Sequence, residues 1–448
     1  MNLPLPMRLL SQRRFLPLFT LLQTGTFNDN SLKNALIALI TFGGVIFLED
    51  LPSAIRVPVA GLIFTGPFLI VCAIAGQIAD KVDRGIILRW VKRFEVIIML
   101  IAAFGFYIMN IWVLAVALGL MGAQSAFFSP TKNAVLPQWL QDKELITGNA
   151  LLNGFVFVFL LVGQVLGTLI VLKTGGPNII AGLLVIIALI GWFAAEQCPP
   201  APAPKPNLKV NYEPFSASWN ALKKAIAAPP VLRPMLGIAW FYGIGTVFVT
   251  TLPNFVREQM NYDASVLITI LVLSTFSILI GSLLTMVIAK MKIWGAEAVG
   301  LSALGITGVA IMAMGIYYFP YPVFVAPESA DASNSLGTVK DFFAHEHMLH
   351  FLGCIMLSSI FNGLFVVPLQ AMAQRRADPA IRAQLMSAGA VILNLFTNAA
   401  TFVLIGLALM QMPAKVPFLF VSLFSAIVAA YAIYRSFHPV NRHSYMEA

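Results

Sequence analysis

A polar face on one apolar helix is the part of this sequence best suited to chemistry. In QTGTFNDNSLKN, residues 23–34, six polar side chains fall within an arc of roughly 140° at helical spacing. They are Gln23, Thr26, Asp29, Asn30, Lys33 and Asn34. An ionisable residue at membrane depth is costly and usually faces a bundle interior or a water-filled cavity. Because both flanks are apolar, the segment predicts a membrane-spanning helix whose polar face lines a substrate pathway.

A local ion pair is the simpler interpretation of the two charges on this face. Asp29 and Lys33 are four residues apart, a spacing at which opposite charges on a helix neutralise each other. We expect this pair to form. It leaves the four neutral polar residues of the same face unexplained, and these favour a cavity.

Polar side chains recur in other apolar segments. Lys132 follows Ser-Pro in one segment and would attract a phosphate group. Further candidates for the pathway are Tyr242, Thr246, Asn362, Gln370, Asn394, Thr397 and Asn398. The last three lie on a second polar arc of roughly 140°. Polar contacts between helices are the alternative explanation for individual Asn and Thr residues.

Composition places the chain in the membrane. Its 448 residues are 59% hydrophobic and 10% charged, against about 45–50% and 25% in a soluble domain. The mean hydropathy is +0.86. The net charge of +9 follows the topology of the loops and needs no nucleic-acid partner. Three widely separated cysteines predict neither disulfides nor a metal site, and we expect no cofactor.

Twelve apolar segments are long enough to cross a bilayer, which takes about 20 residues. They lie near 15–42, 55–79, 94–110, 111–136, 145–172, 178–196, 231–256, 264–289, 295–318, 347–372, 383–411 and 417–437. The predicted fold class is an all-α integral membrane protein with two six-helix pseudo-repeats. The predicted domains are 1–197, a linker at 198–230 and 231–448. The linker is proline-rich, and its residues 215–228 predict an amphipathic helix on the membrane surface.

The distribution of basic residues predicts the orientation. If the amino terminus is cytoplasmic, 21 of the 28 lysines and arginines fall in inner segments and only five in outer ones. The inner count includes Lys92, which the predicted spans leave in a loop. Cytoplasmic loops carry the excess of Lys and Arg, so both termini are predicted to be cytoplasmic.

The hairpin after the second span contains a recognisable motif. GQIADKVDRG, from Gly76 to Gly85, resembles the loop signature of the major facilitator superfamily, roughly G-x-x-x-D-R/K-x-G-R/K. The resemblance implies the twelve-helix transporter fold, working by alternating access. It also implies an inner gate made of Gly76, Asp80, Lys81 and Arg84. Asp83 stands where the pattern usually has glycine.

A narrower resemblance extends over most of the chain. The segments are RRFLPLF, FNDNSLKNALI, GQIADK, FFSPTKNAVLPQ, GNAL and NGLFVVPLQA. They resemble the lysophospholipid transporter family and the transporter modules fused to acylglycerophosphoethanolamine acyltransferases. The resemblance implies movement of a single-chain phospholipid from the outer to the inner leaflet of the bacterial inner membrane, for re-acylation by a cytoplasmic acyltransferase. Asp29, Asn30 and Lys132 match family positions, whereas Thr397 replaces the family's glutamate.

Two other functions compete with lipid transport. A proton-coupled exporter of drugs, siderophores or other amphiphilic small molecules would use Asp29 as its protonation site, and the sequence predicts no other buried carboxylate. An enzyme is not expected, because no acyltransferase H-x-x-x-x-D pattern, phosphate loop, zinc spacing or nucleophile elbow is present. The predicted partners are therefore membrane lipids and an amphiphilic or lysolipid substrate.

Overall fold

The computed structural model describes residues 5–45, 47–290, 299–325, 336–376 and 382–437, and these are almost entirely helical. The first helices are α1 (Leu5–Leu10), α2 (Leu16–Thr41), α3 (Ser53–Lys81), α4 (Arg84–Tyr107), α5 (Ile111–Trp139), α6 (Asp142–Val171), α7 (Gly176–Glu196) and α8 (Pro214–Ile226). The others are α9 (Pro229–Asn254), α10 (Ala264–Lys290), α11 (Val299–Tyr318), α12 (Val339–Ala344), α13 (Met348–Arg376), α14 (Arg382–Leu409) and α15 (Val416–Phe437). A π-helical turn, Phe255–Gln259, follows α9.

Twelve of these helices have at least 20 residues, and each overlaps one predicted span. In the part of the chain that is described, nine helices are apolar and long enough to cross a membrane by length and composition. The other three long helices are α2, α4 and α6, and each contains ionisable residues. The predicted all-α membrane fold class is confirmed.

The helices form two compact units. The first is Met1–Ala227 with Pro379–Ile405, and the second is Ala228–Asp378 with Gly406–Ala448. In the first unit α2 packs on α6 and α7, α3 on α5, and α4 on α5 and α7. In the second unit α11 packs on α13 and α15, and α13 also contacts α9 and α10. The predicted division into 1–197, 198–230 and 231–448 stays a prediction.

Glycines allow the closest helix contacts in the first unit. A Cβ atom on Gly163 of α6 would lie 2.6 Å from the Phe27 carbonyl oxygen of α2. A Cβ on Gly167, one turn later, would lie 2.5 Å from the Ser31 carbonyl oxygen. Both distances are too short for a real side chain, so only glycine permits this approach. Small residues at helix contacts are typical of membrane bundles, because they let the backbones pack closely.

The third span begins earlier than predicted. Helix α4 starts at Arg84, ten residues before the predicted boundary at 94, and Asp83 is its N-cap. The Asp83 carboxylate accepts hydrogen bonds from the backbone N–H groups of Gly85 (2.8 Å) and Ile86 (3.2 Å). An aspartate cap satisfies backbone donors that the first helical turn leaves unpaired. Asp83 therefore starts a helix where the superfamily pattern usually has a glycine turn.

Candidate functional site

The polar face of α2 lies partly inside the first unit. Gln23 and Asn34 are buried, whereas Thr26, Asp29, Asn30 and Lys33 are partly buried. The Asn30 and Asn34 side-chain amides donate to carbonyl oxygens one turn earlier in α2. The Gln23 amide donates across the bundle to the Leu152 carbonyl oxygen of α6 at 3.2 Å.

The predicted ion pair between Asp29 and Lys33 is wrong. The Asp29 carboxylate instead accepts hydrogen bonds from Ser125 Oγ of α5, at 3.1 and 3.2 Å. Among the ion pairs of the described residues, none joins Asp29 to Lys33 within 4.0 Å. The physical reason is that α5 supplies a hydroxyl donor to Asp29 from outside α2. Lys33 is therefore not neutralised by contact with its neighbour one turn earlier.

A buried ion pair stands beside this site, and the sequence-based prediction missed it. Lys92 Nζ lies 2.6 Å from Glu95 Oε2 in α4, and both side chains are 1% exposed. The amide of Asn28 in α2 donates to Glu95 Oε1 at 3.0 Å. The prediction that Asp29 is the only buried carboxylate is therefore wrong. Lys92 also lies within helix α4 and not in a loop between helices, as the predicted span boundaries have it.

Polar side chains of α5 lie between the carboxylates of Asp29 and Glu95. Gln124 Nε2 lies 3.4 Å from Glu95 Oε2, and Gln124 Oε1 lies 3.2 Å from Ser125 Oγ. Ser125 in turn contacts Asp29. A hydroxyl has a single proton, so Ser125 donates either to Asp29 or to Gln124. The arrangement is a continuous polar path from Asp29 to Glu95.

Lys132 lies two turns further along α5 than Ser125 and is partly buried. Its ammonium nitrogen is 5.9 Å from the centre of the Phe128 ring, and Lys92 Nζ is 5.7 Å from the same centre. Within the described part of the chain, Lys132 has no ion pair within 4.0 Å. A partly buried lysine in this position is a suitable anchor for a phosphate group, because charge-assisted hydrogen bonds are the stronger ones.

The residues of the second polar arc form hydrogen bonds within α14, and Asn398 also contacts Thr65 of α3. Asn394 and Thr397 bond carbonyl oxygens of α14 itself. Asn398 Oδ1 accepts a hydrogen bond from Thr65 Oγ1 of α3 at 2.9 Å, within the first unit. Polar residues of a spanning helix can thus form their hydrogen bonds with carbonyl groups of the same helix or with side chains of a neighbouring helix.

The other candidates belong to the second unit. Thr246 Oγ1 donates to the Tyr242 carbonyl oxygen within α9 at 2.9 Å. Asn362 of α13 is buried, and its Oδ1 accepts no hydrogen bond from any described residue. Gln370, two turns later, is exposed. The role of these four residues in a pathway stays a prediction.

The predicted inner gate is held together at the end of α3. Arg84 Nη2 lies 3.3 Å from Asp80 Oδ1, and Arg84 also donates to the carbonyl oxygens of Ala79 and Ala134. The Lys205 N–H of the linker donates to the Asp80 carbonyl oxygen at 2.9 Å. Gly76 and Lys81 flank this contact in the last turns of α3.

Residues 17–329 match the family model described as Major Facilitator Superfamily. The chain belongs to the major facilitator superfamily. The motif-based resemblance is thereby confirmed, and the chain is a multi-pass membrane transporter. Solved structures that share the fold include a peptide transporter and a ferroportin homologue. A peptide transporter POT in complex with sulfate has a TM-score of 0.62 at 14% identity, covering 94% of each chain. A bacterial homologue of the iron transporter ferroportin, in the outward-facing state, has a TM-score of 0.58 at 17% identity, covering 94% of this chain and 99% of that one.

Curated relatives within the superfamily have a common name. The protein named Lysophospholipid transporter LplT from Klebsiella pneumoniae (strain 342) is 22% identical over 413 residues, covering 91% of both chains. The protein of the same name from Escherichia fergusonii is 23% identical over 426 residues, covering 92% of this chain and 93% of the relative. The narrower resemblance seen in the sequence motifs is thus confirmed at low identity over nearly the full length.

Proposed function

We propose that this superfamily member moves lysophospholipid across the bacterial inner membrane, from the outer to the inner leaflet, by alternating access. The observation that carries the proposal is the similarity to proteins named lysophospholipid transporters over 91% of both chains. Similarity of this extent covers the spanning helices of both units, not one shared motif.

The polar groups of the first unit fit the chemistry of such a substrate. A lysophospholipid has a phosphate, a polar headgroup and one acyl chain. Lys132 would attract the phosphate, and Asp29 would accept a hydrogen bond from a headgroup amine or hydroxyl while Ser125 holds its carboxylate. The polar arc of α14, in the same unit, would complete the lining, and the pathway roles of Tyr242, Thr246, Asn362 and Gln370 in the second unit stay predictions.

The proposed setting follows from the topology. Both termini would be cytoplasmic, as the charge asymmetry predicts. The product would then reach the inner leaflet, where a cytoplasmic acyltransferase could attach the second acyl chain. No enzymatic activity is proposed for this chain itself.

A flip assay in reconstituted vesicles tests the proposal. Fluorescent lysophosphatidylethanolamine is placed in one leaflet, and a membrane-impermeant quencher measures how much has crossed with time. We expect protein-dependent crossing of the lysolipid and much slower crossing of its diacyl counterpart. Equal rates with and without protein, for lysolipids of several headgroups, would refute the proposal. Crossing that depends strictly on a proton gradient and extends to unrelated amphiphiles would favour the exporter.

A further inference from the structure

Two pairs of consecutive residues meet at the site proposed above for the cargo. On α2 the pair is Asn28 and Asp29, and on α5 it is Gln124 and Ser125. The second members face each other, with Ser125 Oγ 3.1 and 3.2 Å from the two Asp29 carboxylate oxygens. Successive residues of a helix point about 100° apart, so the first members point to a different side. In both pairs that side faces Glu95 of α4.

The Glu95 carboxylate contacts the first member of each pair. Asn28 Nδ2 donates to Glu95 Oε1 at 3.0 Å, and Gln124 Nε2 lies 3.4 Å from Glu95 Oε2. Gln124 Nε2 also donates to the Val91 carbonyl oxygen of α4 at 3.2 Å. One carboxylate on a third helix thus contacts both helices of the cargo site. On each helix the contact lies one residue before the residue that meets the other helix.

Glu95 is a fixed anchor for these contacts. Its side chain is 1% exposed, and Lys92 Nζ lies 2.6 Å from its Oε2. An ionised carboxylate and a backbone carbonyl can only accept hydrogen bonds. If the Gln124 amide rotated by 180°, its oxygen would face the acceptors of Glu95 and Val91, which is unfavourable in a buried site. The orientation of Gln124 is therefore set by α4.

The environment of Asn28 favours a positioning role over a purely stabilising one. The side chain is buried, and its Oδ1 accepts no hydrogen bond from any described residue. A buried polar atom without a partner lowers stability, and an apolar residue would avoid that cost. Buried ion pairs such as Lys92–Glu95 likewise rarely stabilise more than apolar residues of similar volume, and in some proteins they specify one arrangement of helices.

We propose that Glu95 is a positioning residue of the cargo site. It fixes the rotation of α2 through Asn28 and that of α5 through Gln124. Asp29 and Ser125 are then held at hydrogen-bond distance from each other. The inference rests on the function proposed above, because Asp29 is the group that would accept a hydrogen bond from the headgroup of the cargo.

The double variant Lys92→Met with Glu95→Leu separates positioning from stability. It keeps the net charge and leaves no unpaired buried charge, so it should retain much of the unfolding free energy. It also removes the Glu95 acceptors that the amides of Asn28 and Gln124 contact. We therefore expect flipping of lysophosphatidylethanolamine in vesicles, per folded protein, to fall by about tenfold, which corresponds to about 1.4 kcal/mol.

The matched control for this double variant removes an exposed ion pair. Arg93→Gln with Glu196→Gln also deletes one positive and one negative charge, between α4 and α7. Neither side chain contacts the two residue pairs of the cargo site, so flipping should stay at the wild-type rate. Wild-type flipping by Lys92→Met with Glu95→Leu as well would overturn the proposal, because the site would then be in place without Glu95.

Asn28→Leu tests the contact to α2. With the ion pair intact it should slow flipping by about fivefold, or about 1 kcal/mol, the net contribution of one hydrogen bond. In the Lys92→Met, Glu95→Leu background the Glu95 acceptor of Asn28 is gone, so the same change should have no further effect on flipping. A loss of equal size in both backgrounds would show that Asn28 acts without Glu95 and would refute the proposal.

Gln124→Met tests the contact to α5 and leaves the Lys92–Glu95 pair in place. We expect slower flipping here too. Wild-type rates in both Asn28→Leu and Gln124→Met would overturn the proposal even if the double variant of α4 did not fold. A wild type that does not flip lysolipid overturns the transport function, and the inference with it. A wild type that flips lysolipid, together with variants that flip it equally fast, overturns the role of Glu95 alone.

Discussion

Lys92 Nζ lies 2.6 Å from Glu95 Oε2 inside the first unit, and the two side chains are 1% exposed. The backbones of two neighbouring helices close over the ammonium group. A Cβ on Gly25 of α2 would lie 2.9 Å from Lys92 Nζ, and a Cβ on Gly191 of α7 would lie 3.3 Å from it. Together with the Asn28 and Gln124 amides on Glu95, the pair connects α4 to α2, α5 and α7. Burial of two charges is costly, and these extra hydrogen bonds offset the cost.

Replacing one member of this pair should destabilise the protein strongly. Glu95→Leu leaves the Lys92 ammonium buried without its counter-ion, and breaking such a pair costs about 3–5 kcal/mol. A denaturant titration of the purified protein in detergent measures the loss in unfolding free energy. The double variant Lys92→Met with Glu95→Leu should recover much of it, because no unpaired charge remains.

The matched control is an exposed ion pair that begins on the same helix. Arg93 and Glu196 lie 2.8 Å apart with side chains 41% and 36% exposed. Exposed pairs contribute about 0–1 kcal/mol, so Arg93→Gln should change stability little. Equal losses of unfolding free energy in Arg93→Gln and Glu95→Leu would mean that burial does not make the Lys92–Glu95 pair more important for stability.

The contact of α6 with α2 should tolerate no side chain at Gly163. Gly163→Ala places a Cβ 2.6 Å from the Phe27 carbonyl oxygen, and the helices must separate. Overpacking of this kind costs about 1–3 kcal/mol. Gly182→Ala in α7 is the control, since no atom beyond the neighbouring backbone of its own helix lies within 4 Å of its Cβ position. A thermal unfolding scan of both variants should show a lower midpoint only for Gly163→Ala.

Helical periodicity is why the polar face of α2 was predictable. The repeat of polar types at 3.6-residue spacing between apolar flanks is visible in the sequence alone, and Asp29 and Lys33 are part of it. The partner of Asp29 was not predictable in the same way. Ser125 lies 96 residues away in the chain, and only the packing of α5 on α2 brings the two together. Spacing within α2 favours Lys33 as the partner of Asp29, but the packing of α5 on α2 places Ser125 against the carboxylate instead.

The buried pair of α4 was missed for a different reason. Hydropathy assigns charged residues to loops, so the predicted span begins at 94 and leaves Lys92 outside it. A signal was available in the sequence. Lys92 and Glu95 stand at a spacing of three, and no proline interrupts the chain between Asp83 and the apolar part of the span. Opposite charges one helical turn apart neutralise each other, and a membrane helix can contain them when other helices cover the pair.

The amino terminus of α6 should show a pH dependence through Glu144. Its carboxylate accepts from the Gln141 N–H at 3.0 Å and lies 2.9 Å from Arg14 Nη2. The hydrogen bond from the Gln141 N–H, and to a smaller extent the charge of Arg14, lower the pKa of Glu144 below its usual value. A lowered pKa in the folded state gives stability that is present above the unfolded value of about 4.3 and is lost as the pH falls through the folded value.

Glu144→Gln separates this effect from general acid denaturation. The variant should be less stable than the wild type at neutral pH, and the difference should shrink as the pH is lowered below about 4.3. Unfolding midpoints measured across that range provide the check. A constant difference at every pH would show that the charge of Glu144 is not responsible.

Removing the charge of Asp80 should loosen the inner gate. Asp80→Asn keeps the shape of the side chain but weakens its contact with Arg84, which also holds the Ala79 and Ala134 carbonyl groups. Cys72 lines a cavity next to this contact and reports on its opening. In a background with Cys198 and Cys354 replaced, we expect Asp80→Asn to speed maleimide labelling of Cys72 by about fivefold, for a shift of about 1 kcal/mol. Asp83→Asn is the control, because asparagine also caps helices. Unchanged labelling in Asp80→Asn would show that Asp80 does not hold the gate closed.

The cargo site itself is tested by Asp29, Ser125 and Lys132. If Lys132 binds the phosphate of a lysolipid in a partly buried site, the contact contributes about 1.5–3 kcal/mol. Lys132→Ala should then reduce transport of phosphate-bearing lysolipids by about tenfold to a hundredfold. Lys340→Ala is the matched control, because Lys340 is exposed in α12 and should leave the rate unchanged. Ser125→Ala removes the donor that holds the Asp29 carboxylate, and its effect should follow that of Asp29→Asn in direction but be smaller.

A proton gradient distinguishes a headgroup-binding Asp29 from a proton-carrying one. Flipping rates of wild type, Asp29→Asn and Lys132→Ala are measured in the same vesicles with and without the gradient. For a lysolipid transporter whose Asp29 only orients the headgroup, we expect a rate that is independent of the gradient, falls strongly in Lys132→Ala and falls less in Asp29→Asn. The polar path from Asp29 through Ser125 and Gln124 to Glu95 would serve in that case to hold the carboxylate in place. The opposite result is export that requires the gradient, disappears in Asp29→Asn and is unchanged in Lys132→Ala. That result would assign Asp29 to proton coupling and refute the lysolipid hypothesis.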